Sequence, residues 1–231
     1  MLVTVTAPHR PVSTKTLRDA VGIGIGVGVY GVSFGVLAVA AGLSPLQALV
    51  MSMLMFTGAS QFAFVGVLAS GGTSLAAMGP AVTLALRNTA YGLSLAPIMP
   101  GRLRDRAVLA QLVIDESTAM ARAHDDPGAA RRALVVTGLS VWICWSAGTL
   151  AGALLGGGLG DPRTLGLDAM FPAAFLALLA PQLRHPGAPI AAIFGAIIGI
   201  SLLSVAPVGV PVGAAVVGVV PGLLFVRGAT E

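Results

Sequence analysis

The residues of this chain that can do chemistry are a few polar groups set in long apolar stretches. Arg87 lies inside an apolar segment, with Asn88 beside it. Ionisable groups in such segments are costly to bury and by default indicate function. Arg87 and Asn88 are therefore candidates for binding a charged substrate. The alternatives for the arginine are a side chain that snorkels to a membrane surface and a structural salt bridge.

Two neighbouring carboxylates form a second candidate site. Asp115 and Glu116 lie in a helix-prone stretch, 107–124, that follows a basic cluster. If this stretch dips into the protein, one of them can pair with Arg87, meet a substrate amine or carry a proton. If the stretch lies on the surface, both are ordinary solvated carboxylates.

A polar island interrupts another apolar segment and consists of Thr57, Gly58, Ala59, Ser60 and Gln61. Glycine can open a helix here, so that the following segment presents free backbone N–H groups and a positive dipole end. Many carriers hold a substrate carboxylate on a broken helix of this kind. The alternative is a hydrogen-bonded packing patch.

Two familiar motifs are misleading in this sequence. Residues 26–31 fit the dinucleotide pattern G-x-G-x-x-G, but no strand precedes them and no acidic residue follows at the required distance. Residues 31–35 fit the nucleophile pattern G-x-S-x-G around Ser33, yet none of His9, His124 and His185 lies in the middle of an apolar segment. Helix packing is therefore preferred over an intramembrane serine hydrolase. No metal-ligand spacing occurs, and we expect no cofactor.

Composition defines the class of protein that must position these groups. The 231 residues are 56% apolar and only 10% charged, with a mean hydropathy of +0.92, whereas soluble domains carry about 25% charged residues. A cytosolic enzyme, a disordered chain and a nucleic-acid-binding protein are therefore excluded. Cys144 is the only cysteine, so no disulfide framework exists. The chain is predicted to be an integral membrane protein.

The charged residues divide the chain into apolar segments, which predict an all-α polytopic membrane helix bundle with about 20 residues per crossing. A tail at 1–19 precedes a single transport domain at 20–227. The segments lie at about 20–42, 45–69, 74–99, 107–124, 133–156, 165–182, 188–205 and 207–226. We expect between six and eight of them to be separate membrane segments, with broken or re-entrant stretches near 57–61 and 80–88.

The basic residues predict the orientation in the plasma membrane. The N-terminal tail, the 100–106 loop, the 122–132 loop and Arg227 carry the positive charges, which places both termini in the cytoplasm. Three full crossings before Arg102 would put the 100–106 loop outside. We therefore expect that one of the first three segments does not cross fully.

Small residues recur at a spacing of four, which favours close helix packing. The pairs are Gly22/Gly26, Gly24/Gly28, Gly31/Gly35, Gly148/Gly152, Gly152/Gly156, Gly195/Gly199 and Gly218/Gly222.

Six short segments occur as an ordered set at 31–35, 56–62, 87–92, 114–116, 171–175 and 211–213. As a set they resemble the AzlC family of branched-chain amino acid transport proteins, and the likeness extends from about residue 20 to residue 226. The segment 56–62 is the most specific. Ala85 and Asn88 stand where the family usually has Asn or Asp and often His, which predicts an altered polar site around Arg87.

The resemblance implies an exporter of valine, leucine and related amino acids that acts with a small AzlD-type membrane partner. Because no nucleotide motif is present, secondary transport coupled most simply to protons is expected. The backbone of 58–61 and Arg87 would hold the carboxylate, and Asp115 or Glu116 the ammonium or a proton. Phe56, Phe62 and Phe64 would contribute an apolar pocket. The competing class is a non-transporting membrane subunit for assembly or regulation.

Overall fold

The structure is a computed structural model that describes residues 12–156, 182–207 and 210–228, together with Leu176, Leu179 and Ala180. Within these ranges every regular element is helical, which confirms the all-α prediction. The helices are α1 (Thr14–Ala40), α2 (Pro45–Leu54), α3 (Gly58–Ala69), α4 (Ser74–Leu95), α5 (Leu103–Gln111), α6 (Asp115–Arg122), α7 (Pro127–Gly156), α8 (Ala188–Leu202) and α9 (Val210–Gly228).

Three of these helices, α1, α7 and α9, are long and apolar enough to cross a membrane. α4 has 22 residues, which gives it a length of about 33 Å. Arg87 and Asn88 lower its hydropathy, since both side chains are strongly polar. The remaining apolar helices, α2, α3 and α8, are shorter. The combination of helices long enough to span a membrane with shorter apolar helices is consistent with a membrane bundle that contains broken segments.

Helices α1 and α7 form the centre of the bundle and run parallel. Gly24 lies against Ser140, and Gly35, further along α1, lies against Ala153. The backbones approach so closely that a Cβ on any of several glycines would meet the other helix. These are Gly24, Gly28, Gly31 and Gly35 on α1 and Gly148, Gly152 and Gly156 on α7. Gly22 and Gly26, in contrast, have open space beside them.

Helices α2 and α3 form a hairpin that does not cross the bundle, which we call the first hairpin. α2 begins with a capping box formed by Ser44 and Gln47 and follows α1 after a short turn. Gln61 of α3 donates from Nε2 to the Ser52 hydroxyl of α2 (3.1 Å). The end of α2 lies beside Trp142, because Met53 O accepts from the indole N–H of that residue. Phe62 of α3 contacts Phe34, further along α1, so α3 runs back toward the end of the bundle where α2 begins. The break at 55–57 lies next to the predicted interruption at 57–61.

Helices α5 and α6 form the second hairpin, where the sequence predicted one partly polar segment at 107–124. Between them Ile114 is extended (φ −138°, ψ −179°), and the Ser117 hydroxyl accepts from its N–H (3.0 Å). α6 ends near the start of α1, where His124 Nε2 and Thr16 Oγ1 are 3.3 Å apart. The second hairpin therefore enters from the end of the bundle opposite to the first.

Several helix limits differ from the prediction; for example, α7 begins at Pro127, inside the predicted 122–132 loop. The interruption predicted at 80–88 is wrong, because α4 continues through both Pro80 and Arg87. A proline removes one backbone N–H donor from a helix. Pro80 lies in the second turn of α4, and the hydrogen bonds of the other residues maintain the helix around it. α1 begins at Thr14, inside the predicted tail. Most of the predicted segment 165–182 lies outside the described residues.

A long helix followed by a hairpin thus occurs twice, in opposite directions: α1 with the first hairpin and α4 with the second. Leu95 and Met99, at the end of α4, pack with Ala121 and Leu134, near the end of the bundle where α1 begins. Because the first hairpin does not cross, only α1 and α4 separate the N-terminal tail from Arg102. Arg102 and the start of α1 lie at the same end of the bundle, an arrangement consistent with the charge pattern.

Candidate functional site

A cavity of about 530 Å³ lies where the tips of the two hairpins meet, between α1, α4 and α7. Thr57, Gly58 and Ala59 line it from the first hairpin, and Ile114, Asp115 and Glu116 from the second. Both tips lie near the middle of α1, since Ile23 and Tyr30 of that helix line the same cavity. The cavity is therefore placed about halfway across the bundle.

An ion pair crosses one side of this cavity. Arg87 Nη2 of α4 and Asp115 Oδ2, in the first turn of α6, are 2.8 Å apart, and both side chains are more than one third exposed. Tyr91, one turn further along α4, interacts with Asp115. Among the described residues, the buried Arg87 Nε and Asn88 Oδ1 have no hydrogen-bond partner. The site thus holds charges of both signs and unused polar capacity.

Two helix N-termini face the cavity. At the start of α3, Thr57 is extended (φ −155°, ψ 103°) and provides no side-chain cap. The first N–H groups of a helix have no intrahelical acceptor, and its dipole end is positive. The start of α3 therefore offers donors to an anion. At the start of α6, Asp115 and Glu116 supply negative charge instead.

Another part of the lining is aromatic and includes Phe62 and Trp145, which pack on Phe34 behind them. Phe34 stacks on Trp145 (centroids 5.8 Å), and Phe62 contacts both rings edge to face. A Cβ at Gly58 would lie 3.2 Å from Trp145 Cη2, so the close approach of α3 to this ring favours glycine. Trp145 is buried, and its Nε1 has no partner among the described residues. A small apolar side chain can pack against these rings.

The structure brings together six of the eight candidate residues found in the sequence. Gly58, Ala59, Arg87, Asn88, Asp115 and Glu116 line the cavity. Ser60 and Gln61 are fully buried behind it and are not part of the lining. Of the three phenylalanines, Phe56 and Phe62 line the cavity, while Phe64 packs against the apolar core.

Sequence reasoning missed Tyr30, Trp145 and Tyr91. The first two line the cavity from α1 and α7, helices that are far from the polar segments in the chain. An aromatic residue in an apolar helix gives no signal of its own. Tyr91 had one available signal, because it lies four residues after Arg87 and thus on the same helix face.

A buried hydrogen-bond network lies behind the cavity and holds the first hairpin to α7. Ser52 Oγ is 2.9 Å from Thr149 Oγ1 and accepts from Gln61. All three side chains are fully buried. The network fixes the hairpin without contacting the cavity.

Replacing Ser52 with alanine should destabilise the protein without changing substrate affinity. The change would leave Gln61 Nε2 and Thr149 Oγ1 buried without this partner, at about 1–3 kcal/mol. Thermal unfolding in detergent and substrate binding would measure the two effects. Ser70→Ala is the control, because Ser70 is exposed and bonds only to Gly66 O of its own helix. An unchanged melting temperature for Ser52→Ala, or an altered affinity, would contradict this role.

A polytopic helical membrane protein with a central polar cavity between re-entrant hairpins belongs to the transporter class. Comparison with known proteins identifies the family. The model described as "AzlC protein" matches residues 22–159, which is more than half of the chain. The chain therefore belongs to the AzlC family, a family of membrane permeases.

Two curated relatives support this assignment. The chain is 30% identical over 217 residues to the inner membrane protein YgaZ of Escherichia coli, covering 90% of this chain and 88% of YgaZ. It is 31% identical over 189 residues to an uncharacterized membrane protein of Archaeoglobus fulgidus, covering 80% of this chain and 83% of that protein. No solved structure matches the chain.

Proposed function

We propose that this protein exports branched-chain amino acids such as valine or leucine across the plasma membrane. It would act as a proton-linked secondary carrier with a small AzlD-type membrane subunit and with both termini in the cytoplasm. The observation that carries the proposal is the cavity itself. Its lining combines charges of both signs with aromatic side chains.

Each part of a branched-chain amino acid has a chemical counterpart in this cavity. The carboxylate suits the Arg87 guanidinium, a planar donor fork, and the N-terminus of α3. The ammonium suits Asp115 or Glu116. The side chain suits the wall that contains Phe56, Phe62 and Trp145. A volume of about 530 Å³ is within the range of small-molecule sites.

The Arg87–Asp115 pair suggests how binding is linked to movement. In this structure the two charges neutralise each other. A zwitterion would separate them, with its carboxylate on Arg87 and its ammonium on Asp115. Glu116, in the same first turn of α6, is then the group that we assign to proton exchange.

Efflux of radiolabelled valine from preloaded cells tests the proposal. We expect efflux from cells that express this chain with the small partner, and its collapse when a protonophore is added. The chain without partner and the partner without chain are the controls. Absence of valine efflux, with the complex shown to be in the membrane, would contradict the substrate assignment. Absence of transport for a panel of amino acids would favour the non-transporting subunit instead.

A further inference from the structure

The outer arm of the second hairpin, α5, is weakly held by packing. Leu109 is its only buried residue, and the other eight residues of Leu103–Gln111 are exposed. Elements with few buried apolar contacts are those that open most readily. In contrast, the first hairpin is fixed to α7 by the buried Ser52–Thr149 bond and by Trp142 Nε1, which donates to Met53 O (3.1 Å).

One side chain ties this arm to the first hairpin. Gln111 Nε2, at the last residue of α5, donates to Met53 O and Leu54 O at the end of α2, at 3.2 Å each. Carbonyls at a helix C-terminus lack intrahelical donors. Met53 O also accepts from Trp142 Nε1, and its two lone pairs allow it to accept both bonds. We call these two hydrogen bonds the latch.

The latch lies next to the cavity. Only 112–114 separate Gln111 from Asp115, and Ile114 lines the cavity at the turn of the hairpin. The turn itself is buried, with Leu112 against Gly138 of α7, so its movement breaks this packing as well as the latch. Such a movement would carry Asp115 away from Arg87 and part the two tips.

We propose that Gln111 is a positioning residue that holds the hairpin tips together, and that the cavity opens when the latch breaks and the second hairpin moves from the first. Gln111 contacts no substrate in this scheme and acts through the placement of Asp115. The inference rests on the proposed transport function for its role in the cycle. The opening itself can be measured whether or not valine is transported.

Labelling of a buried cavity residue by a thiol reagent tests the latch. Val141 lines the cavity from α7 and is 1% exposed, so Val141→Cys is labelled only when the tips part. Cys144, the single native cysteine, is replaced by alanine in all variants. A membrane-impermeant maleimide is then applied to vesicles of each orientation.

We expect Gln111→Ala to raise the labelling rate about 5- to 30-fold, the factor that corresponds to losing one or two neutral hydrogen bonds. Gln111→Glu should act in the same direction, because it keeps the shape of the side chain but removes the N–H donor. Gln47→Ala is the matched control, since Gln47 caps the far end of α2 and bonds Ser44.

Wild-type labelling rates in both Gln111 variants would overturn the inference. Equal acceleration by Gln47→Ala would overturn it as well, because the effect would then be general loosening. If Gln111→Ala does not fold, Gln111→Glu decides the question alone. Absent valine efflux with latch-dependent labelling would refute the proposed function and leave the latch standing.

Discussion

Replacing Arg87 with alanine should reduce valine efflux to near the background level while leaving membrane insertion intact. Arg87 is the cation in the cavity that faces Asp115 at 2.8 Å, and it is the group that we assign to the substrate carboxylate. Loss of a hydrogen bond to a charged group weakens binding by about 1.5–3 kcal/mol, or roughly 10- to 150-fold. Initial efflux rates at several internal valine concentrations measure the loss.

Two further variants separate binding from folding. Arg87→Ala combined with Asp115→Ala removes both charges, so no uncompensated carboxylate remains, yet transport should stay lost. Arg87→Lys keeps the charge without the bidentate fork and should retain partial activity. Arg18→Ala is the control, because Arg18 forms an exposed ion pair with Asp19 on α1. Normal export by Arg87→Ala would refute the assignment of the carboxylate site.

Replacing Gly35 with valine should prevent correct folding. A Cβ at Gly35 would meet Thr149 O and Ala153 N, both backbone atoms of α7, which cannot move aside as a flexible side chain can. Overpacking of a tight core costs about 1–3 kcal/mol and occasionally more, and separating two helix backbones lies at the upper end. We expect a lower melting temperature and a large loss of monodisperse protein after detergent extraction.

Gly22→Val is the matched control for this prediction. Gly22 lies on the same helix, but nothing is within 4 Å of a Cβ placed there. The two variants lose equal backbone freedom and gain equal apolar surface, so only the contact with α7 differs. Comparable melting temperatures for both variants would contradict the role of Gly35 in the α1–α7 interface.

Much of the architecture follows from the sequence alone because hydropathy, charge and turn residues act locally. An apolar chain with few charges has to place its helices in a membrane, where backbone groups need internal partners. The break beside Gly58 and the basic loop at Arg102 are visible as local composition. The same reasoning failed at Pro80, because one missing donor does not decide whether a helix ends there.

The direction of the chain after each break was decided only by the tertiary structure. Local sequence at 55–57 permits a helix that continues or one that turns back. The end of α2 lies beside Trp142, whereas Phe62 of α3 contacts Phe34 further along α1, which shows that the chain turns back. The meeting of Arg87 with Asp115, and the placement of Trp145 in the same cavity, join residues far apart in the chain. These long-range contacts depend on how the helices pack, and above all on the close approach of α1 and α7 at their glycines. The hydrophobic periodicity of a single segment carries no information about such contacts.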